Sequence, residues 1–224
     1  MEDARKVGRI VGALLLAKLI AGPIENFTLM GPVVAKPDGF LVNAAAHPLN
    51  LPFAVMLSFV LCLATLAIMA VSYPLFRRHA PQLALWFVAL SIVGVATSLV
   101  EDITMMSMQS LSLAYSAAAG ATPELYQGLR GVVGAARNWA HYTNLLVGGL
   151  GLFVMFLLFH RARLVPRLLA GFGLVTAVLQ MYSIGRPFFG APVMFELLMP
   201  MGLTFLATSG WLLWRGFAEP EARA

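Results

Sequence analysis

Two adjacent carboxylates, Glu101 and Asp102, stand late in a long apolar run, and a histidine, His141, stands early in the next one. In a low-dielectric setting such an acid pair can retain a proton and deliver it to an apolar substrate, while an imidazole can take one up near neutral pH. These three residues are the catalytic candidates. The commoner role of an acid pair is to satisfy arginines and amides, and the sequence offers those as well. Lys18, Glu25 and Asn26 lie in the first apolar run, Arg137 and Asn144 flank His141, Arg186 ends the fifth run and Glu196 begins the sixth. Charges are expensive in hydrocarbon, so such residues usually face a bundle interior and mark a site or a packing network.

The elements that must position them are membrane helices. The chain has 224 residues, 60% of them hydrophobic and only 11% charged, with a mean hydropathy of +0.83. A water-soluble domain of that composition could not cover its surface, so the bilayer acts as solvent. The formal charge of +5 does not indicate nucleic acid, because the basic residues are spread over alternate loops. A single cysteine, Cys62, excludes an intrachain disulfide and a cysteine metal cluster. The first run is broken by Lys18 and continues to Val34, which reads as a retained helix instead of a signal peptide.

The expectation is an all-α, polytopic six-helix transmembrane bundle forming one domain over residues 1–224. Its spans are placed at about 8–34, 52–76, 82–109, 138–159, 165–186 and 193–215, each long enough for ~30 Å of hydrocarbon. Basic residues fix the orientation. On one side lie Arg5, Lys6, Arg9, Arg77, Arg78, Arg161, Arg163, Arg167, Arg215 and Arg223, and on the other Lys36, Arg130, Arg137 and Arg186. That bias puts both termini in the cytoplasm. The outer connections carry a Pro37-Asp38-Gly39 turn signal, a His47-Pro48 pair, and Thr122-Pro123-Glu124 as a helix start. An outer interfacial helix is expected over 122–136.

Polar and small residues recur at helical spacing: Lys18, Gly22 and Glu25; Gly94, Ser98, Asp102 and Met105; His141, Asn144, Gly148 and Gly151; Glu196, Pro200, Thr204 and Thr208. The second span carries only neutral members, Ser58, Cys62, Thr65 and Ser72. Small residues on these stripes suit close helix packing, so each stripe is first a packing seam. Two placements stay open for the charged ends: headgroup level, or a pocket near the outer leaflet. Gly22-Pro23 before Glu25 and Pro200 after Glu196 favour a pocket, since interrupted membrane helices tend to line cavities.

No cofactor is indicated. Haem would want histidines at matching depth on facing helices, and only His141 lies in a span. Zinc from His47, His141, Glu25 and Glu101 lacks a supporting ligand spacing, and copper on Met105, Met106, Met108, Met181, Met194, Met199 and Met201 competes with gap-filling. No phosphate loop or nucleophile elbow occurs. The site residues assign no metal.

Arg9-Ile-Val-Gly-Ala-Leu-Leu-Leu16, His141 ahead of Gly148, Gly149 and Gly151, and Leu157-Leu-Phe-His-Arg-Ala-Arg-Leu-Val-Pro166 with Arg167-Leu-Leu-Ala-Gly171 carry a resemblance over nearly the whole chain. It resembles a family of bacterial six-helix membrane proteins catalogued as a domain of unknown function, number forty-three eighty-six. The resemblance implies architecture and a bacterial inner membrane; it implies no activity. Where the family shows a glycine soon after its histidine, this chain has Tyr142-Thr143-Asn144.

Three functions fit these residues. The first is a membrane protein that binds, senses or passes a small amphipathic, lipid-like ligand at a polar cavity near the outer leaflet. The second is an intramembrane enzyme using Glu101, Asp102 or His141 on a lipid or isoprenoid, and the third a structural partner subunit. The bilayer is the one certain partner, no nucleic acid is expected, and an oligomer is left open.

Overall fold

The computed structural model describes residues 2–35, 38–118 and 122–218. Helix α1 (Glu2–Pro23) runs into a π-helical stretch, Ile24–Met30, and then α2 (Gly31–Val34). There follow α3 (Phe40–Ala46), α4 (Asn50–His79), α5 (Pro81–Ala117), α6 (Pro123–Arg161) and α7 (Arg167–Gly185). Short 3-10 turns at Arg186–Phe189 and Phe195–Leu197 lead to α8 (Met199–Arg215). Among the described residues there is no strand, and six stretches are long and apolar enough to cross a bilayer: Asp3–Val34, Asn50–His79, Pro81–Ala117, Pro123–Arg161, Arg167–Phe189 and Phe195–Arg215. The chain is therefore an all-α, multi-pass integral membrane protein. Its lipid-facing surface fits that reading, with Phe27 79%, Leu168 90% and Phe189 90% exposed.

Several boundaries differ from expectation. No separate helix occupies 122–136: from Pro123 onward those residues are the first part of α6, which continues unbroken to Arg161. The expected break rested on a dip in hydropathy, and no proline intervenes between Pro123 and Arg161 to end the helix. Helices α5 and α6, with 37 and 39 residues, extend about 55 and 58 Å, well past the hydrocarbon thickness. Serines carry α5 through its polar end, Ser107 Oγ donating to Ile103 O at 2.9 Å and Ser110 Oγ to Met106 O at 3.0 Å. In the first span, Pro23 lacks the N–H that would bond Leu19, and the backbone widens just beyond it. Asn26 Nδ2 donates to Gly22 O at 3.0 Å and Asn50 Nδ2 to Leu29 O at 3.0 Å, so amides meet carbonyls at both ends of the widened stretch. Lys36 and Pro37 of the expected turn, and Arg223, lie outside the described residues; Asp38 is in a turn and Gly39 has φ +66°.

The chain forms two compact units. One comprises Met1–Leu19, Leu63–Val95 and Leu145–Ala224. Its core is aromatic: Phe76 meets Phe87, Phe159 and Phe217 edge-on with centroids 5.5, 6.0 and 6.1 Å apart. Between α7 and α8, Thr176 Oγ1 and Thr204 Oγ1 are 3.2 Å apart, and both also bond carbonyls of their own helices. The turn after α6 closes with Arg163 at φ +51° and Leu164 N–H donating to Phe159 O at 3.1 Å. Glycines set the closest approaches. A Cβ on Gly8 would lie 2.1 Å from Phe217 N, and one on Gly173 would lie 2.3 Å from the Phe156 ring. In lipid, where apolar contact between helices gains little over contact with acyl chains, such backbone proximity is a main source of packing energy.

The other unit comprises Ile20–Cys62 and Ala96–Asn144. Met30, Val33, Phe40, Ala44, Leu51, Met105 and Met108 form its apolar core. Ser112 on α5 stitches α3 to it, donating to Leu41 O at 2.9 Å and accepting from Ala45 N–H at 2.8 Å.

The close approaches generate a paired prediction. Gly8→Ala forces backbone apart at Phe217 and should cost about 1–3 kcal/mol, as overpacking does. Gly210→Ala, where nothing lies within 4 Å, should be neutral or stabilising by about 0.5–1 kcal/mol. Thermal melts in detergent compare the two, and equal melting temperatures would contradict the close contact at Gly8.

Candidate functional site

The second unit assembles most of the polar residues singled out in the sequence. On α6, Arg137, His141 and Asn144 are four and three residues apart and share one face. All three converge on Glu101 of α5, which is only 6% exposed. Arg137 Nη2 donates to Oε1 at 3.4 Å, His141 Nδ1 donates to the same oxygen at 2.7 Å, and Asn144 Nδ2 donates to Oε2 at 3.0 Å. Asn144 is oriented in turn by α5, its Oδ1 accepting from Thr97 Oγ1 at 3.1 Å and Ser98 Oγ at 3.2 Å. That arrangement settles which end of the amide faces Glu101. With Nδ1–H committed to the carboxylate, Nε2 carries the lone pair in the neutral ring.

Asp102, the next residue, is 4% exposed and far less well satisfied. Its Oδ2 accepts from Ser58 Oγ of α4 at 3.1 Å, while Oδ1 is buried without a partner among the described residues. Arg137 Nε is likewise buried without a partner there. Glu25, half-buried on the π-helical stretch, lies within electrostatic reach of Glu101, Asp102 and Arg137.

Other candidates stand elsewhere. Asn26 is exposed and spends its amide on Gly22. Lys18, in the first unit, donates to Thr65 Oγ1 of α4. Arg186 closes its own hairpin, Nε donating to Pro192 O at 2.9 Å and Nη1 to Tyr182 Oη at 3.4 Å, and Glu196 is exposed. Among the described residues, no group of three or more His, Cys, Asp or Glu side chains is placed to hold a metal ion.

Sequence reasoning missed Thr97 and Gln109. Gln109 is 5% exposed with Oε1 unpartnered among the described residues. It lies seven residues after Asp102 and four after Met105, so following the Gly94, Ser98, Asp102 and Met105 stripe to the last residue of the expected span would have found it. Thr97 carried no signal of its own beyond standing next to Ser98.

The geometry separates network residues from surface ones. Glu101→Gln leaves the Arg137 charge without its counter-charge in a largely buried setting and should destabilise the protein by about 3–5 kcal/mol. Combining it with Arg137→Gln should cost less than the sum of the single changes, because the two residues act as one pair. Glu196→Gln should shift stability by no more than about 0.5 kcal/mol. Denaturation of the wild type, the three single variants and the double variant in detergent measures all three terms, and additive losses would dissolve the pair.

No curated protein and no solved structure matches this chain. A family profile does, over residues 10–216. Covering nearly all of the six apolar spans, that match establishes that the chain belongs to the family described as Domain of unknown function (DUF4386).

Proposed function

We propose that the protein binds a small amphipathic, lipid-like ligand through the polar cluster around Glu101, as a binding, sensing or passing protein. One observation carries this reading. Asp102 Oδ1 and Arg137 Nε are buried and unpartnered among the described residues, on side chains that both adjoin a Glu101 already supplied with three donors. A buried unmet acceptor and donor each cost about 1–3 kcal/mol, more when charged. A ligand hydroxyl or amide, which both donates and accepts, supplies what these two atoms lack. An apolar tail on such a ligand suits the surrounding helices.

The basic-residue bias supports both termini in the cytoplasm, with Glu101 and His141 toward the outer leaflet, in a bacterial inner membrane. A catalytic reading has its own observation. Glu101 accepts from Nδ1 of His141, which orients the ring and leaves Nε2 to exchange a proton, as an intramembrane acid–base enzyme acting on a lipid or isoprenoid would need.

Native mass spectrometry of the detergent-solubilised protein tests the binding reading. The wild type should retain an amphiphile in fixed stoichiometry. Asp102→Asn keeps an acceptor for Ser58 but can turn the unmet acceptor into a donor, and it should lose that amphiphile without losing its helix content. Retention of only bulk phospholipid in variable number, unchanged in the variant, would reject the reading.

A further inference from the structure

A cavity of about 560 Å³ in the first unit is walled by the start of α1 and the end of α8. Arg5 and Arg9, one turn apart on α1, and Arg215, the last residue of α8, line it beside Trp211 and Trp214. None of the described lining residues is acidic. Arginine keeps its charge at any physiological pH, so the wall is positive, with no counter-charge among its described lining residues.

Backbone contacts hold the wall together. Gly216 has φ +71°, and a Cβ there would lie 2.4 Å from Arg5 O; Gly8 approaches Phe217 as closely. Arg9 Nη2 donates to Trp214 O at 3.5 Å, and the Arg215 guanidinium lies 4.1 Å from the centroid of the Trp214 ring. A guanidinium has five N–H donors, so the single bond from Arg9 leaves most of its capacity for an incoming anion.

The geometry points to a phospholipid headgroup site: Arg5, Arg9 and Arg215 bind the phosphodiester of an anionic lipid, with Trp211 and Trp214 against its glycerol and upper acyl chain. Three features favour a lipid over a free anion. The arginines sit where apolar spans give way to basic ends, the depth of a headgroup. Tryptophans are enriched at that depth because one edge of the ring is polar and the rest is not. Trp214 is 65% exposed and Leu213 38%, which leaves apolar surface beside the cavity for an acyl chain. A choline or ethanolamine ammonium would find no carboxylate among the described lining residues, so the net negative lipids are preferred. This site is independent of the Glu101 cluster.

The test uses the full chain in a neutral maltoside detergent. Short-chain phosphatidylglycerol, phosphatidylcholine of the same chain length and inorganic phosphate would be titrated separately, following tryptophan fluorescence and adduct number by native mass spectrometry. Phosphatidylglycerol should give a saturable fluorescence change, and the other two should bind far more weakly. Arg9→Gln and Arg215→Gln should each weaken phosphatidylglycerol binding by about fivefold. Arg161→Gln removes the same charge outside the cavity and should leave binding unchanged. Circular dichroism checks the fold, and if Arg9→Gln fails it, Arg215→Gln at the exposed helix end decides alone. Equal binding of phosphatidylcholine, a response to phosphate alone, or an equal loss in Arg161→Gln would each overturn the proposal.

Discussion

A carboxylate can be buried in an apolar helix only if its charge is met at once and from several directions, and Glu101 meets that condition through α6. Arg137, His141 and Asn144 reach it because their spacing puts them on one face. Sliding α6 by one residue would turn that face by about 100° and break all three contacts together. The ion pair therefore specifies how α5 and α6 are registered, whatever its net contribution to stability, since desolvation offsets much of the Coulomb gain. Asn144 extends the constraint back to α5 through Thr97 and Ser98. The network thus closes on the helix where it started.

The same demand acts on the backbone. Water cannot rescue a carbonyl in hydrocarbon, so an irregular stretch survives only where side chains stand in for the missing partners. The Ile24–Met30 segment shows this locally, with Asn26 and Asn50 amides on the carbonyls of Gly22 and Leu29. Ser112 does the same across elements, accepting from one backbone N–H of α3 and donating to one of its carbonyls. Asparagine and serine in these spans are structural members first.

Hydropathy made the six spans legible, because a run of apolar residues has one meaning in a chain this rich in them. The shared face of His141 and Asn144 was legible too, in their spacing, but which acid they meet was not, since Glu25, Glu101 and Asp102 all lay in apolar runs. Helix ends were not: Arg137 and Trp139 continue α6 through a stretch that hydropathy alone reads as a boundary. Nor was the role of the neutral stripe on α4. Ser58 and Thr65 look like packing residues in sequence, yet Ser58 donates its hydroxyl to Asp102 in one unit and Thr65 accepts from Lys18 in the other. A hydroxyl on a small side chain serves both purposes, and only the neighbour's position tells which. Arg186 illustrates the converse, since a charge at a span end can be satisfied by its own hairpin.

The two units are held by different physics, with consequences for what each can do. The first relies on ring edges around Phe76 and on glycine contacts such as Gly173 under Phe156, which have no slack at the level of one methyl group. The second relies on hydrogen bonds from Arg137, His141 and Asn144 to Glu101 and from Ser58 to Asp102, and two buried atoms there, Asp102 Oδ1 and Arg137 Nε, still lack a partner among the described residues. A hydrogen-bonded network can exchange a protein partner for a ligand partner with little change in volume. A close-packed glycine contact has no comparable alternative state. Under the proposed binding reading, a polar ligand would therefore act on the hydrogen bonds of the second unit, while the glycine contacts of the first would keep their packing.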